Sequence, residues 1–233
     1  MYNAETIKNE LNKIADKEKA IHLSRFFKTG KGEYGEGDVF IGIQVPHQRK
    51  IAKQFPVADL SEIEKLIDDP VHEFRLTALL LLIELYKKAG EEEQKNIVNF
   101  YLKKSSRINN WDLVDLSAPQ IIGHFYYSRK RDKLYQLVKS SSLWEQRIAV
   151  VSTYYFIKKS DFNEILAFSE MLLEHKHDLI HKASGWMLRE AGKMDLNVLR
   201  GFLDKHHKVM PRTMLRYSIE KLDKSERLKY MLK

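Results

Sequence analysis

Apolar residues recur at three- and four-residue intervals along almost the whole chain, the spacing that turns one face of an α-helix toward a core. Ile7, Leu11 and Ile14, then Ile21, Leu23, Phe26 and Phe27, predict two short helices within residues 3–28, parted near Asp16. Pro46 suits a first helical position, with His47, Gln48, Arg49 and Lys50 continuing the helix. Helices are predicted over Ser61–Ile67, ended by Asp68, Asp69 and Pro70, and over Val71–Lys88. Another covers Glu91–Lys103, where three opening glutamates complement the helix dipole. The same spacing predicts helices over 110–125, 131–139, 143–159, 162–174, 178–192, 195–206, 211–221 and 224–232. The run Val39–Val45 could pass for a strand, but no second run pairs with it, so it reads as a buried turn leading to Pro46. The pattern predicts an all-α chain.

A weak internal period refines this. Phe74-Arg75-Leu76-Thr77-Ala78-Leu79 resembles Gln146-Arg147-Ile148-Ala149-Val150-Val151, and both resemble His181-Lys182-Ala183-Ser184-Gly185-Trp186. The spacing suits two-helix repeats of about 35–45 residues, the range of HEAT and armadillo units. The expected architecture is a HEAT/armadillo-like helical-repeat solenoid with a concave face, one domain over residues 1–233. In such a stack, equivalent positions of successive inner helices lie side by side. Trp111, Asp115, Arg147, Lys182 and Trp186 would then converge although they are distant in sequence.

The stretch Ile108–Gly123 carries polar groups where a helix usually hides apolar ones. Asn109 or Asn110 can cap its first turn. Trp111 and Asp115, one turn apart, share a face, while Leu113 and Leu116 point to the other side. Pro119 has no N–H, so the carbonyl of Asp115 loses its helical partner, and a kink or early helix end is expected beside it. The window by itself also admits a packing role, with Trp111 in a core and Asp115 paired with a lysine.

Composition narrows the function. The 233 residues carry 43% hydrophobic residues, enough for a substantial core, and a net charge of +8, which favours a polyanion such as nucleic acid. There is no cysteine, which fits a reducing cytoplasm and excludes thiolate metal sites. No signal-like segment opens the sequence and the longest apolar run, Leu79–Ile83, is too short to span a bilayer, so a cytoplasmic protein without membrane contact is expected. The Gly-rich loop at 29–38 contains Gly30, Gly32 and Gly35 in G-x-G-x-x-G spacing, but a helical segment precedes it where a dinucleotide site needs a strand. His177 and His181 have helical metal-pair spacing; with no third ligand in view, no metal is expected. Arg75 reads as an inter-repeat ion-pair residue with an acidic neighbour, and Trp144 as core.

Five strings then resemble those of DNA alkylation repair glycosylases of the AlkD type. They are Gly42-Ile43-Gln44-Val45-Pro46 with Arg49; Asn110-Trp111-Asp112-Leu113-Val114-Asp115; Trp144-Glu145-Gln146-Arg147; Ile180 to Glu190; and Met210 to Arg216. The resemblance implies a HEAT-like solenoid cradling double-stranded DNA in its concave face. It also implies removal of N3- and N7-alkylated purines to leave an abasic site, without metal or cofactor and without a deep base pocket. By motif match, Asp115 is the catalytic carboxylate and Trp111 and Trp186 the aromatic walls. Arg147 would contact a backbone phosphate of the DNA; read from the residues themselves, Lys182 is a DNA phosphate contact or an interhelix pair, and Arg212 a DNA contact or part of a solvated face. The protein would act as a monomer. Two departures bear on lesion preference: Phe26 stands where the family can carry an aromatic hydroxyl, and the loop 29–38 is longer than in some relatives.

The chemistry is consistent with these residues. An N3- or N7-alkylpurine is cationic and leaves as a neutral base, so the enzyme must stabilise a sugar cation and present water. A carboxylate can do both, and indole faces attract cations at about 0.5–2 kcal/mol each. The alternative is a non-catalytic DNA-binding HEAT-repeat protein that recognises alkylated or distorted DNA. A protein scaffold is disfavoured, since it needs none of Trp111, Asp115, Arg147 and Trp186.

Overall fold

The first 28 residues form α1 (Ala4–Asn12) and α2 (Lys17–Phe26), each opened by a side chain that accepts from an otherwise orphan backbone N–H. Asn3 accepts from Thr6 N and Asp16, the predicted break, from Lys19 N. The computed structural model describes residues 2–57 and 59–232. Its helices divide into two compact units, with the boundary between Ser117 and Ala118.

The first unit continues with α3 (Val45–Gln54), which has Pro46 in its first turn, α4 (Leu60–Ile67), α5 (His72–Lys88), α6 (Glu91–Lys103) and a 3-10 turn at Ser105–Arg107. It ends in α7 (Trp111–Ala118). Every residue of α5 from His72 to Ile83 is buried, and α3, α4 and α6 pack against it. A helix buried all round must satisfy its polar side chains internally. The polar ones, His72, Glu73, Arg75 and Thr77, cluster in its first two turns.

Glu73 anchors the segment that the sequence read as a buried turn. Its carboxylate accepts from the backbone N–H groups of Ile41, Gly42 and Ile43, at 2.8 Å for Gly42. Gly42 has φ +86°, and a β-carbon there would run into the Asp16 carbonyl, so only glycine brings the turn this close to α2. Val39 and Val71 form an isolated bridge, and no strand occurs among the described residues.

The second unit opens with a π-helical turn at Pro119–Gly123, followed by α8 (His124–Tyr127), α9 (Asp132–Val138), α10 (Leu143–Ile157) and α11 (Asn163–Met171). It closes with α12 (Asp178–Met194), α13 (Leu196–His206), α14 (Arg212–Ser218) and α15 (Lys224–Met231). Here α10 and α12 are the long, deeply packed helices. At Gly185 the Tyr217 β-carbon lies 2.6 Å from where a β-carbon would stand, which lets α12 and α14 approach closely. The fold is all-α, as the periodicity predicts. Among the described residues, no helix is long and apolar enough to cross a membrane.

Candidate functional site

In the first unit the start of α7 is held by a buried network of charges. Arg75, 2% exposed, donates to Asp38 and, at 2.8 Å, to Asn109 Oδ1. Asn110 is fully buried; its Nδ2 donates to Asp38 Oδ2 at 3.1 Å and its Oδ1 accepts from Trp111 N at 2.8 Å. His72 lies between two carboxylates, with Nδ1 3.0 Å from Asp38 Oδ2 and Nε2 2.8 Å from Asp112 Oδ2. Both ring nitrogens face acceptors, which an imidazole satisfies with two N–H bonds only when protonated. The two carboxylates, the guanidinium and the imidazolium sum to zero charge.

The protonation states follow. Burial opposes the His72 charge, but the charge and hydrogen bond of Asp112, with the bond to Asp38, raise its pKa to about 9. Burial likewise pushes Asp38 up, yet the His72 hydrogen bond and the Arg75 charge outweigh it and hold the carboxyl below its usual value.

Beside the network stands a column of rings. Trp111 stacks on Phe27 at 5.0 Å, Phe27 stacks on Phe40 at 5.0 Å, and His72 stacks on Phe40 at 4.5 Å between centroids. Phe26, 55% exposed, meets the Trp111 ring edge-on. Trp111 and Asp115 are both half-buried, as is Leu116, whereas Leu113 is fully buried. One turn beyond Trp111, the Asp115 charge is close enough to act on the buried Tyr101. Burial pushes that phenol up, its hydrogen bond to Ser117 at 2.8 Å opposes the rise, and Asp115 adds to it. Beyond Asp115 the backbone meets the missing Pro119 N–H by widening into the π turn. The sequence leads to a kink or an early helix end beside Asp115; α7 instead runs on to Ala118, and the irregularity is the π turn at Pro119–Gly123.

In the second unit, Arg147 on α10 is 4% exposed, and its Nη1 donates to the Leu179 carbonyl at 2.6 Å. The sequence reading placed this group on a DNA phosphate. The structure encloses it, and this bond ties α10 to the first turn of α12. Lys182 pairs with Asp178 at 2.8 Å one turn away on α12, and Trp186 is half-buried with its ring 6.1 Å from that of Tyr154. Arg212 is exposed and donates to the Met231 carbonyl at 3.1 Å. His177 Nδ1 accepts from Leu179 N, and His181 Nε2 meets the His175 carbonyl. Trp144, expected in the core, is half-buried.

A family model described as DNA alkylation repair enzyme matches residues 7–222. The chain belongs to this family. Two solved structures share the fold of this DNA alkylation repair protein. One, described as a predicted DNA alkylation repair enzyme from Enterococcus faecalis, has a TM-score of 0.70 at 20% identity, over 90% of this chain and 97% of that one. The other, AlkD2 from Streptococcus mutans, has a TM-score of 0.56 at 18% identity, over 94% and 97% of the two chains. No curated protein matches the chain in sequence.

Sequence reasoning found Arg75 as an ion-pair residue but missed His72 and the part played by Asp38 and Asp112. The one local sign was a histidine opening a helix whose fourth residue is that arginine. The network makes the repair protein's stability depend on pH. A histidine with a raised folded pKa stabilises fully below its unfolded value and loses that contribution as pH rises through the folded value. Stability is therefore expected to fall between pH 6.5 and about 9, by roughly 1.4 kcal/mol per pH unit. Urea unfolding of the native chain and of His72→Gln across this window checks it; equal slopes in the two proteins would refute the assignment.

Proposed function

We propose that this protein is a DNA glycosylase that excises positively charged N3- and N7-alkylated purines from duplex DNA and leaves an abasic site. The observation that carries this reading is the arrangement on α7: a half-buried indole, Trp111, and a half-buried carboxylate, Asp115, one turn apart, immediately before the π turn at Pro119. An alkylated purine leaves neutral, so the protein must stabilise the sugar cation and direct water at it. Asp115 opposes the developing charge and orients the water, and Trp111 offers an electron-rich face to the sugar or the cationic base.

In the second unit, Trp186 and Lys182 on α12 and Arg212 on α14 contact DNA, with Arg147 bracing the start of α12. The net charge of +8 supports sequence-independent affinity for the polyanion, falling steeply with salt.

The test is release of free base from methylated duplex DNA. The expected result is N3-methyladenine and N7-methylguanine appearing well above the spontaneous rate. Tight duplex binding without release would replace this reading with that of a non-catalytic protein recognising alkylated or distorted DNA. A panel of adducts in the same assay gives the lesion preference, on which Phe26, edge-on to Trp111 without a hydroxyl, bears.

A further inference from the structure

The regular α-helical stretch that carries Trp111 and Asp115 has eight residues before it widens into the π turn at Pro119–Gly123. A helix this short has little stability of its own, so tertiary contacts must set its place and its rotation. Three such contacts lie at its start, and all lead to one cluster. Asn109 is held by Arg75, Asn110 by Asp38 and Asp112 by His72. Asp112 and Asp115 stand three residues apart, on neighbouring positions of one helical face. A bond that fixes Asp112 therefore fixes the angle at which Asp115 is presented. His72 also stacks on Phe40, and Phe40 supports Phe27, on which the Trp111 ring rests. One side chain touches both the acid end of the helix and the column under its indole.

The composition of this cluster is unusual for a device that serves stability alone. Buried ion pairs often contribute no more than well-packed apolar groups of similar volume. The requirement here is geometric: a flat ring that stacks on an aromatic neighbour and donates in two opposite directions. A protonated imidazole meets it. A neutral imidazole has one N–H and would leave one carboxylate without its bond. A glutamine amide can reach one carboxylate but does not bridge the two.

We propose that His72 is a positioning residue for base release, one that bridges Asp38 to Asp112 and so sets where α7 presents Asp115 and Trp111. This rests on the glycosylase reading of Asp115. The groups that face His72 are Asp38 and the rings of Phe27 and Phe40 from the segment between α2 and α3, Arg75 from α5, and Asp112 from α7. Loss of the imidazolium proton removes one of the two bonds, and the start of α7 is released while Asp115 itself is unchanged.

The experiment uses the full chain and two readouts. The first is single-turnover base release from methylated duplex DNA at saturating protein. His72→Gln is expected to lower that rate about 10–100-fold, the scale of a misplaced reacting group, with duplex affinity within about threefold of the native chain. Asp112→Asn keeps an acceptor oxygen toward His72 and is expected to recover most of the rate that Asp112→Ala loses. The native rate should decline as pH passes about 9, and His72→Gln should lack that limb.

The second readout needs no activity. In a Trp144→Phe/Trp186→Phe background, Trp111 is the sole indole. Its emission and acrylamide quenching should change through about pH 9, and should not change there once His72→Gln is added. A folded His72→Gln protein with the native rate and the native Trp111 response overturns the proposal. Should His72→Gln not fold, a native rate and a Trp111 signal in the single-indole background that are both flat through this pH range overturn it instead. If the native chain releases no base while the Trp111 signal of the single-indole background still follows His72, the glycosylase reading is refuted and the link between His72 and α7 stands.

Discussion

Asp115→Asn is expected to lower the single-turnover rate of alkylpurine release by about 10²–10⁴-fold, the range for loss of a positioned acid–base group. The substitution keeps volume and shape and removes one negative charge. Its effect falls on a transition state in which the sugar is cationic, while the bound substrate already carries its charge on the base. An amide can still hydrogen-bond water, but it neither draws a proton from that water nor opposes the oxocarbenium. Duplex affinity should stay within about threefold, because the change removes a repulsive charge and disturbs no phosphate contact. Circular dichroism and a filter-binding titration separate a lost reaction from a lost fold. A variant that releases base at the native rate shows that Asp115 is not the reacting carboxylate. Asp112, on the same face, serves as a control with a different signature. It is already engaged by His72 at 2.8 Å, so its loss should act through geometry and respond to the conservative amide.

Glu73→Ala is expected to destabilise the protein by about 3–5 kcal/mol, near the top of the range for single substitutions. Glu73 is 1% exposed and accepts from three consecutive backbone N–H groups at 41–43. Its removal leaves those donors in a buried turn with no acceptor, and each such donor costs about 1–3 kcal/mol before relaxation. The turn cannot relax far. Gly42 lies against the Asp16 carbonyl, and Asp16 N donates to the Ile41 carbonyl at 2.9 Å. The same segment supplies Asp38 to the cluster that holds α7, so the variant should also release base more slowly. Denaturant midpoints measure the stability loss. A change below about 1 kcal/mol would show that water or backbone movement satisfies the turn without the carboxylate.

Glu73→Ala and the Asp112 control both turn on α5, a helix that reads differently along its length. From Ala78 to Ile83 it is an apolar rod, and the sequence alone shows that. Its first four residues after Val71 are His72, Glu73, Phe74 and Arg75, and three of these are buried polar groups whose partners lie in other segments. The internal period did identify one of them. Arg75 and Arg147 occupy the fourth residue of α5 and the fifth of α10, both buried, and Lys182 is the fifth residue of α12. A repeated basic residue near the start of α5, α10 and α12 is visible without coordinates. What each arginine holds differs: Asp38 and Asn109 in one case, the Leu179 carbonyl in the other.

The helical class, the helix at Glu91–Lys103 to the residue, the break at Asp16, a helix opening at Pro46 and an irregular backbone near Pro119 are all legible in the order of residues. These are local matters: periodicity, a capping side chain and a missing N–H act within one or two turns. The order of residues also draws attention to Trp111 and Asp115, because an indole and an acid on one helical face form a short motif. The dependence of the turn at 41–43 on Glu73, the bridge from Asp38 through His72 to Asp112 and the burial of Arg147 come only from how the helices pack. Those partners lie about 30–40 residues apart. A contact across that separation leaves no spacing in the chain, since it depends on where packed helices bring their ends together.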